Sequence, residues 1–415
     1  MNEQIKQRIT QLNNGEVPSG YAKTDFGVFP ADWVPYSIEG VSIGKGEYGL
    51  NAPACEYEEG LPKYLRITDI DDDGRYIDNS AYVAHCNSHE FVLRENDLVF
   101  ARTGASVGKS YLYTKRDGLL VYAGFLIKFA IDPNKCNTYI VKKNCVSAKY
   151  QEWVRIMSAR SGQPGINAEE YAKYHFMAPK SLTEQSKIAE ILMKWDEAIE
   201  LFDELIEAIE AKRNHIINQI TSKKSGWKTY SLVDILEELV EHTTVNDQYE
   251  VLSSTKQGLF AQSEYFDKQV ASENNVGYKV IRRGNMVLSP QNLWLGNINY
   301  NDSFEIGIVS PSYKVFKIKD QFDKTLVSTI MKLPIMLHKY VLSSEQGASV
   351  VRRNLNMDLF YQITISLPDL ETQQRLGKVI TLMGNQIVLY RVKREILNKQ
   401  RKALQQYLLN GIVRV

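Results

Sequence analysis

Three short stretches of this chain hold residue types that could do chemistry. Thr103-Gly104-Ala105-Ser106-Val107-Gly108-Lys109-Ser110 nearly spells a phosphate-binding P-loop. That motif needs a glycine, four residues, then Gly-Lys-Ser, with a helix opening behind it to hold the phosphate. Here Thr103 occupies the first glycine place, and Tyr111-Leu112-Tyr113 continues as a strand. Gly44-Lys45-Gly46-Glu47-Tyr48-Gly49 matches G-x-G-x-x-G in letters, but Pro53, Gly60 and Pro62 leave no room for the helix that makes it a dinucleotide site. His85, Cys86 and His89 lack the second ligand pair of a zinc site. All three read as loops, and Lys45 is suited to touching a phosphate. No Asn/Asp-Pro-Pro-aromatic methyltransferase signature occurs, and no carboxylates cluster with a lysine as in a nuclease. Nothing assembles a nucleophile, a base and an oxyanion donor, so a chain without catalysis is expected.

A supply of groups suited to reading DNA remains. Lys45, Tyr48, Arg66, Arg102, Thr103, Ser106, Lys109, Arg160 and Gln163 lie in or beside turns of the first half. Gln291, Asn292, Trp294, Asn297, Arg352, Arg353 and Asn354 do so in the second. Arg, Lys, Asn and Gln make paired hydrogen bonds to base edges, and Lys and Arg also contact phosphates. Taken singly each is an ordinary solvated loop residue. As a set they are expected to contact DNA, because two divergent halves carry them at related places.

Two long helices must position these loops. From Thr183 to Ser222 there is no Gly or Pro, and large apolar residues fall at Ile188, Leu192, Trp195, Ile199, Phe202, Ile206, Ile209, Ile216 and Ile220. The gaps alternate four and three, with Arg213 filling one place, which predicts one long helix with a narrow heptad stripe. The stripe recurs 188 residues later as Leu376, Ile380, Met383, Ile387, Tyr390, Leu397, Leu404 and Leu408, with Arg394 and Arg401 at the remaining positions. Residues 183–222 hold nine acids and four bases, and residues 371–415 hold two acids and nine bases. Acidic middle against basic middle favours antiparallel pairing of the two helices with each other. The competing arrangement lays each helix separately on a globular core.

The rest of the chain repeats loosely, at offsets between 187 and 194 residues. Trp33-x-x-Tyr36-Ser37 matches Trp227-x-x-Tyr230-Ser231, Leu93 to Phe100 matches Ile281 to Leu288, and Asn167 and Pro179 match Asn356 and Pro368. Leu12-Asn13-Asn14-Gly15 echoes Leu408-Leu409-Asn410-Gly411, as a repeat cut open at a permuted point would leave it. The expected fold is therefore α+β and pseudo-twofold: a helical start and connector (1–32), a strand-rich domain (33–182), a spacer helix (183–222), a second strand-rich domain (223–370) and a second spacer helix (371–415). Strands are expected at Tyr64–Thr68, Asp97–Ala101, Lys109–Thr114 and Phe125–Ile131, and a helix near Ala148–Ala159. At 415 residues two or three domains are expected. The four cysteines show no CxxC spacing, there is no run of about 18 apolar residues, and MNEQIKQRITQ lacks a signal-peptide core, so a reduced cytoplasmic setting is expected. A net charge of +1 means that any DNA-binding surface is local or shared with partners.

These residues resemble the specificity subunit of Type I restriction–modification systems. Glu184-Gln185-x-x-Ile188-x-x-x-Leu192-x-x-x-Asp196 is similar to that family's central spacer helix. Phe100 to Lys109 and Ser161-Gly162-Gln163-Pro164-Gly165-Ile166-Asn167 are similar to its target-recognition segments, and Gly20-Tyr21 through Trp33 to its N-terminal approach. The second half departs: Gln373-Gln374 stands where Glu-Gln is expected, Gly384 replaces the Asp, and Ser289-Pro290-Gln291-Asn292 replaces the Arg-Thr-Gly run. The resemblance implies two target recognition domains, each reading half of a split double-stranded DNA site. The helices would set the gap and dock two methyltransferase subunits. S-adenosylmethionine, ATP and Mg would belong to those and to motor-nuclease subunits, with no cofactor, metal or membrane contact in this chain. The competing readings are a coiled-coil scaffold with two protein-binding domains and a P-loop-like nucleotide-dependent enzyme.

Overall fold

The fold is described from a computed structural model covering residues 3–159, 164–221, 226–265, 274–346 and 353–415. Both heptad stripes are single helices of 40 residues, Leu182–Thr221 and Leu370–Leu409, here the central and C-terminal helices. Each spans about 60 Å at ~1.5 Å per residue. The chain divides into two compact units: residues 1–201 with 394–415, and residues 202–393.

In the first unit the strand-rich domain is built on an antiparallel sheet. Its order runs Ser42–Tyr48, Leu126–Ile131, Asp97–Ala101, Ser110–Leu112. Asp97–Ala101 is buried throughout, as a central strand of branched and aromatic residues should be. Trp33–Ser37 pairs with His175–Pro179 and brings the two ends of the domain together at the helix. The core beneath this pair takes Ile188, Ala189 and Leu192 from the central helix and Leu408 and Leu409 from the C-terminal helix. Ion pairs Glu184–Arg414 and Asp196–Arg401 fix the two helix segments of this unit as antiparallel.

The second unit repeats the plan with other residues. Its four-stranded sheet runs Leu236–Leu239, Lys314–Ile318, Asn285–Leu288, Ile298–Tyr300, the same order of positions as in the first domain. Lys228–Ser231 pairs with Thr364–Leu367 as Trp33–Ser37 does with His175–Pro179. Ile217, Ile220 and Ile380 of the helices enter this core. Phe202 meets Tyr390 edge-on at 5.8 Å, and Glu210 accepts from Arg391 at 2.5 Å. The two helices therefore pair with each other in each unit, in opposite senses, rather than lying on separate cores.

The N-terminal echo is structural as well as textual. Gly15 N–H donates to Leu12 O and Asn14 N–H to Thr10 O, ending the Glu3–Asn13 helix. Gly411 N–H donates to Leu408 O and Asn410 N–H to Gln406 O in the same way. Both glycines sit in the left-handed region, at φ 77° and 66°, where a side chain would be strained.

One expected strand is cut short. Lys63–Leu65 is extended, but Ile67–Asp69 turns. The Asp69 carboxylate accepts from Arg66 N–H and from its guanidinium, and that local bond pattern wins over the strand.

Candidate nucleic-acid interface

Each domain hangs on its helix by a buried glutamine. Gln185, fully buried, donates from Nε2 to Pro179 O at 2.7 Å and accepts Asn137 N–H on Oε1 at 2.7 Å. Asn137 caps the helix Thr138–Asn144. In the second unit Gln373 donates to Pro368 O at 2.9 Å and accepts Asp323 N–H at 3.0 Å, and Asp323 caps the helix Lys324–Met331. The clamp thus ties domain end, helix cap and long helix together in both repeats. It also fixes the register: Gln373 is the partner of Gln185, and Thr372 takes the place of Glu184.

Eleven residues beyond Gln185 lies a second tether with no counterpart among the described residues of the other unit. Asp196 accepts from Arg401 Nη1 at 2.9 Å and from the Tyr139 hydroxyl, and lies 2.5 Å from Lys143 Nζ. Arg401 also donates to Asp73 at 2.6 Å. Burial alone would raise the Asp196 carboxyl, but Lys143, Tyr139 and Arg401 hold it well below the usual carboxylate range. Burial pushes the Lys143 ammonium down to about 8 despite the carboxylate beside it. Glu200 adds a paired contact from Arg116 at 2.6 and 2.9 Å.

The near-P-loop stretch is a folded loop on the end of the buried strand Asp97–Ala101. Tyr171 staples it: its hydroxyl donates to Ala101 O at 2.7 Å and accepts Gly108 N–H at 3.0 Å. Gly104 N–H donates to Pro164 O, and Ile166 N–H to Arg102 O. Gly108 has φ 86°, and a Cβ there would stand 2.5 Å from Val154, so only glycine fits. The strand Ser110–Leu112 follows, not a phosphate-capping helix. Gly44–Tyr48 of the other glycine-rich stretch is strand rather than the expected loop, because it pairs with Leu126–Ile131.

The sequence-derived candidates fall into distinct situations. The Arg102 guanidinium lies 5.0 Å from the centre of the Tyr48 ring, and Lys45 is exposed on the same strand as Tyr48, Ser42–Tyr48. Thr103 bridges to Gly165, and Ser106 is half-buried in the same loop. Lys109 bonds Ile70 O and pairs with Asp72 at 2.9 Å, while Arg66 is held by Asp69. In the second domain Arg353 lies 5.7 Å from the centre of the Trp294 ring, and Leu355 N–H bonds Pro290 O, joining the 290s loop to Arg353–Leu355. Gln291 and Asn354 are exposed there, and Asn292 precedes the turn Leu293–Leu295. Asn297 is only 7 % exposed, with its amide bonded to Ser254, so it braces the loop from within. Arg160, Gln163 and Arg352 lie outside the described residues. Each domain therefore presents an arginine stacked on an aromatic ring at the rim of a braced loop. Sequence reasoning does not reach Tyr171, Tyr139 or Lys143, because their partners lie 50 or more residues away in sequence.

Comparison with known proteins agrees with this geometry. Residues 30–211 match the family model described as the Type I restriction modification DNA specificity domain. The chain is 21 % identical to a Methanocaldococcus jannaschii protein assigned as the type I restriction enzyme MjaX specificity subunit, over 95 % of this chain and 97 % of that one. It shares its fold with the crystal structure of a Type-I restriction-modification S subunit from M. genitalium: TM-score 0.56, 13 % identity, 91 % of this chain and 96 % of that one. A chain from a structure of a type I R-M system, solved for its complex assembly and conformational transition, gives TM-score 0.51 at 12 % identity, over 93 % and 99 %. Residues 30–211 are thus a DNA specificity domain. Along most of its length the chain is similar to specificity subunits of Type I restriction–modification systems.

Proposed function

We propose that each strand-rich domain reads one half of a bipartite double-stranded DNA site, the first with the rim around Arg102 and Tyr48, the second with that around Arg353 and Trp294. The observation that carries this reading is the duplicated glutamine clamp: one mounting, repeated at Gln185 and Gln373, bears two loops of different sequence. A shared mount with different readers is what two unlike DNA words require. The helices set the unread gap and dock two methyltransferase subunits in the cytoplasm. Val379, Leu382, Leu389 and Val392 support docking, since they form an apolar row away from the heptad stripe and are 41–57 % exposed. S-adenosylmethionine binding and methylation belong to those partners, and ATP with Mg to motor-nuclease subunits. No reacting group is contributed by this chain.

Deleting Glu197–Asp203 together with Asn385–Arg391 removes one heptad from each helix and brings Glu207 into the register of Glu200. Mapping methylated adenines in cells expressing the chain with its methyltransferase should show both words kept and the gap shortened. Altered words with an unchanged gap would overturn the ruler.

A further inference from the structure

A groove of about 920 Å³ opens in the first unit beside the recognition loop. Its walls are the loop residues Ala105–Ser110, the start of the helix Ala148–Met157, the strand beginning at His175, and the last turns of the C-terminal helix from Arg401 to Asn410. Five cations and two carboxylates line it among the described residues. The carboxylates are spent: Asp72 on Lys109, and Asp73 on Arg401. Lys149, Lys173 and Lys402 remain, all exposed and without a carboxylate within ion-pair distance among the described residues. Lys149 Nζ is propped over the Phe29 ring, 4.3 Å from its centre, and Phe26 stacks on His175 at 5.9 Å. Gln151 and Gln406 add neutral donors.

We propose that this groove holds the phosphodiester backbone of the DNA strand running on from the first half-site, with Lys149, Lys173 and Lys402 each facing a phosphate. The inference rests on the reading of the 102–109 loop as DNA-facing, because that loop forms one wall of the groove. Exposed lysines with no acid partner among the described residues, Lys149 donating only to Phe26 O at 3.4 Å, beside spare amide donors, suit a chain of phosphates. The contact is indifferent to sequence. It adds affinity and register to the first domain, and with a net charge of only +1 a local cationic strip is one of the two ways in which the protein meets DNA, the other being charge supplied by partners.

The test uses the full chain assembled with its methyltransferase subunits. Binding to duplexes with and without the mapped site is measured from 50 to 200 mM salt for wild type, for Lys149→Gln/Lys173→Gln/Lys402→Gln, and for the triple arginine variant. Three lost phosphate contacts should lower the slope of log K against log salt by about 2.7, at roughly 0.9 per contact. The loss should be equal on both duplexes, the methylated words unchanged, and the arginine variant should keep the wild-type slope. An unchanged slope in the glutamine variant overturns the proposal. So does loss of methyltransferase association without a slope change, which would assign the groove to an acidic protein segment. Thermal stabilisation of wild type by tripolyphosphate, lost in the glutamine variant with DNA binding intact, would assign it to a free nucleotide instead. Changed words in the glutamine variant would mean that these lysines read bases, which also overturns it. Failure of wild type to discriminate the two duplexes would sink the recognition reading itself, whatever the slopes.

Discussion

Asp196 on the central helix and Arg401 on the C-terminal helix meet at 2.9 Å with Arg401 only 2 % exposed, and Arg401 reaches on to Asp73 in the first recognition domain. One guanidinium thus joins both helices to the turn that also holds Lys109 through Asp72. Apolar packing alone tolerates sliding, whereas a buried ion cluster fixes register because every displaced charge would stand unpaired in low dielectric. The helix pair segment of this unit and the first domain are thereby set in one geometry.

Asp196→Asn should be strongly destabilising. It leaves Lys143 and Arg401 facing a neutral amide in the interior, and breaking a buried pair in this way costs about 3–5 kcal/mol. Chemical denaturation should show the loss in the midpoint, with the slope unchanged. A loss under ~1 kcal/mol, the range of an exposed pair, would show that water reaches the cluster.

The same cluster sets a pH dependence. The folded Lys143 ammonium loses its proton near 8, below its ordinary 10.5, because burial outweighs the carboxylate shared with Arg401 and Tyr139. Between those values the unfolded chain binds more protons than the folded one, so this group makes stability rise with pH from about 8 toward 10.5. Below 8 its penalty is constant. The stability of wild type minus that of Lys143→Met, measured by urea unfolding, should therefore increase across that window. A flat difference would place the Lys143 pKa at its ordinary value.

Among the described residues the second unit lacks the cluster: counted from the caps Asn137 and Asp323, Thr325 and Thr329 stand where Tyr139 and Lys143 do. Gly384 stands 188 residues after Asp196, and Arg213 stands 188 before Arg401. Arg213 Nε is buried without a partner, and an added Cβ at Gly384 would meet nothing within 4 Å. Gly384→Asp should therefore stabilise the fold, chiefly through the new pair with Arg213, since Asp is only slightly better than Gly inside a helix. A double-mutant cycle with Arg213→Met isolates the pair. A coupling of zero would show that the repeat does not carry side-chain geometry this far.

How much of this was readable in advance follows from where each partner lies in sequence. The helices were legible because four-three spacing is local, and the repeat because Trp33, Asn167 and Pro179 recur at a near-constant interval. Asn167 and Asn356 both prove to be helix caps, and Pro179 and Pro368 both supply the carbonyl for the glutamine clamp. Arg401 was visible as a charge in an apolar stripe, but not its partners: Tyr139 and Lys143 sit on a short helix more than 50 residues from Asp196, and no local pattern links them. The second-domain rim was least legible. Its loop sequence diverges from Arg-Thr-Gly, and only tertiary contact brings Arg353 over Trp294.

That pairing and its counterpart allow the two words to be separated. Arg102 leans on Tyr48 and Arg353 on Trp294, and Arg353 also donates from Nη1 to Val341 O at 3.3 Å, so each guanidinium is held in place. A preorganised arginine suits the paired contact to a guanine edge, worth about 1–3 kcal/mol of discrimination. Arg102→Ala should weaken binding roughly 5- to 150-fold and relax one position of the first word only. Arg353→Ala should do the same in the second word. Tyr48→Leu should give a milder version of the first, since the arginine stays but loses its support. Affinity measured on duplexes altered in one half-site at a time decides the matter. If Arg102→Ala lowers binding to every sequence equally and shallows the salt dependence by about one unit, the residue contacts a phosphate, and the base-reading group of the first domain lies elsewhere on the rim.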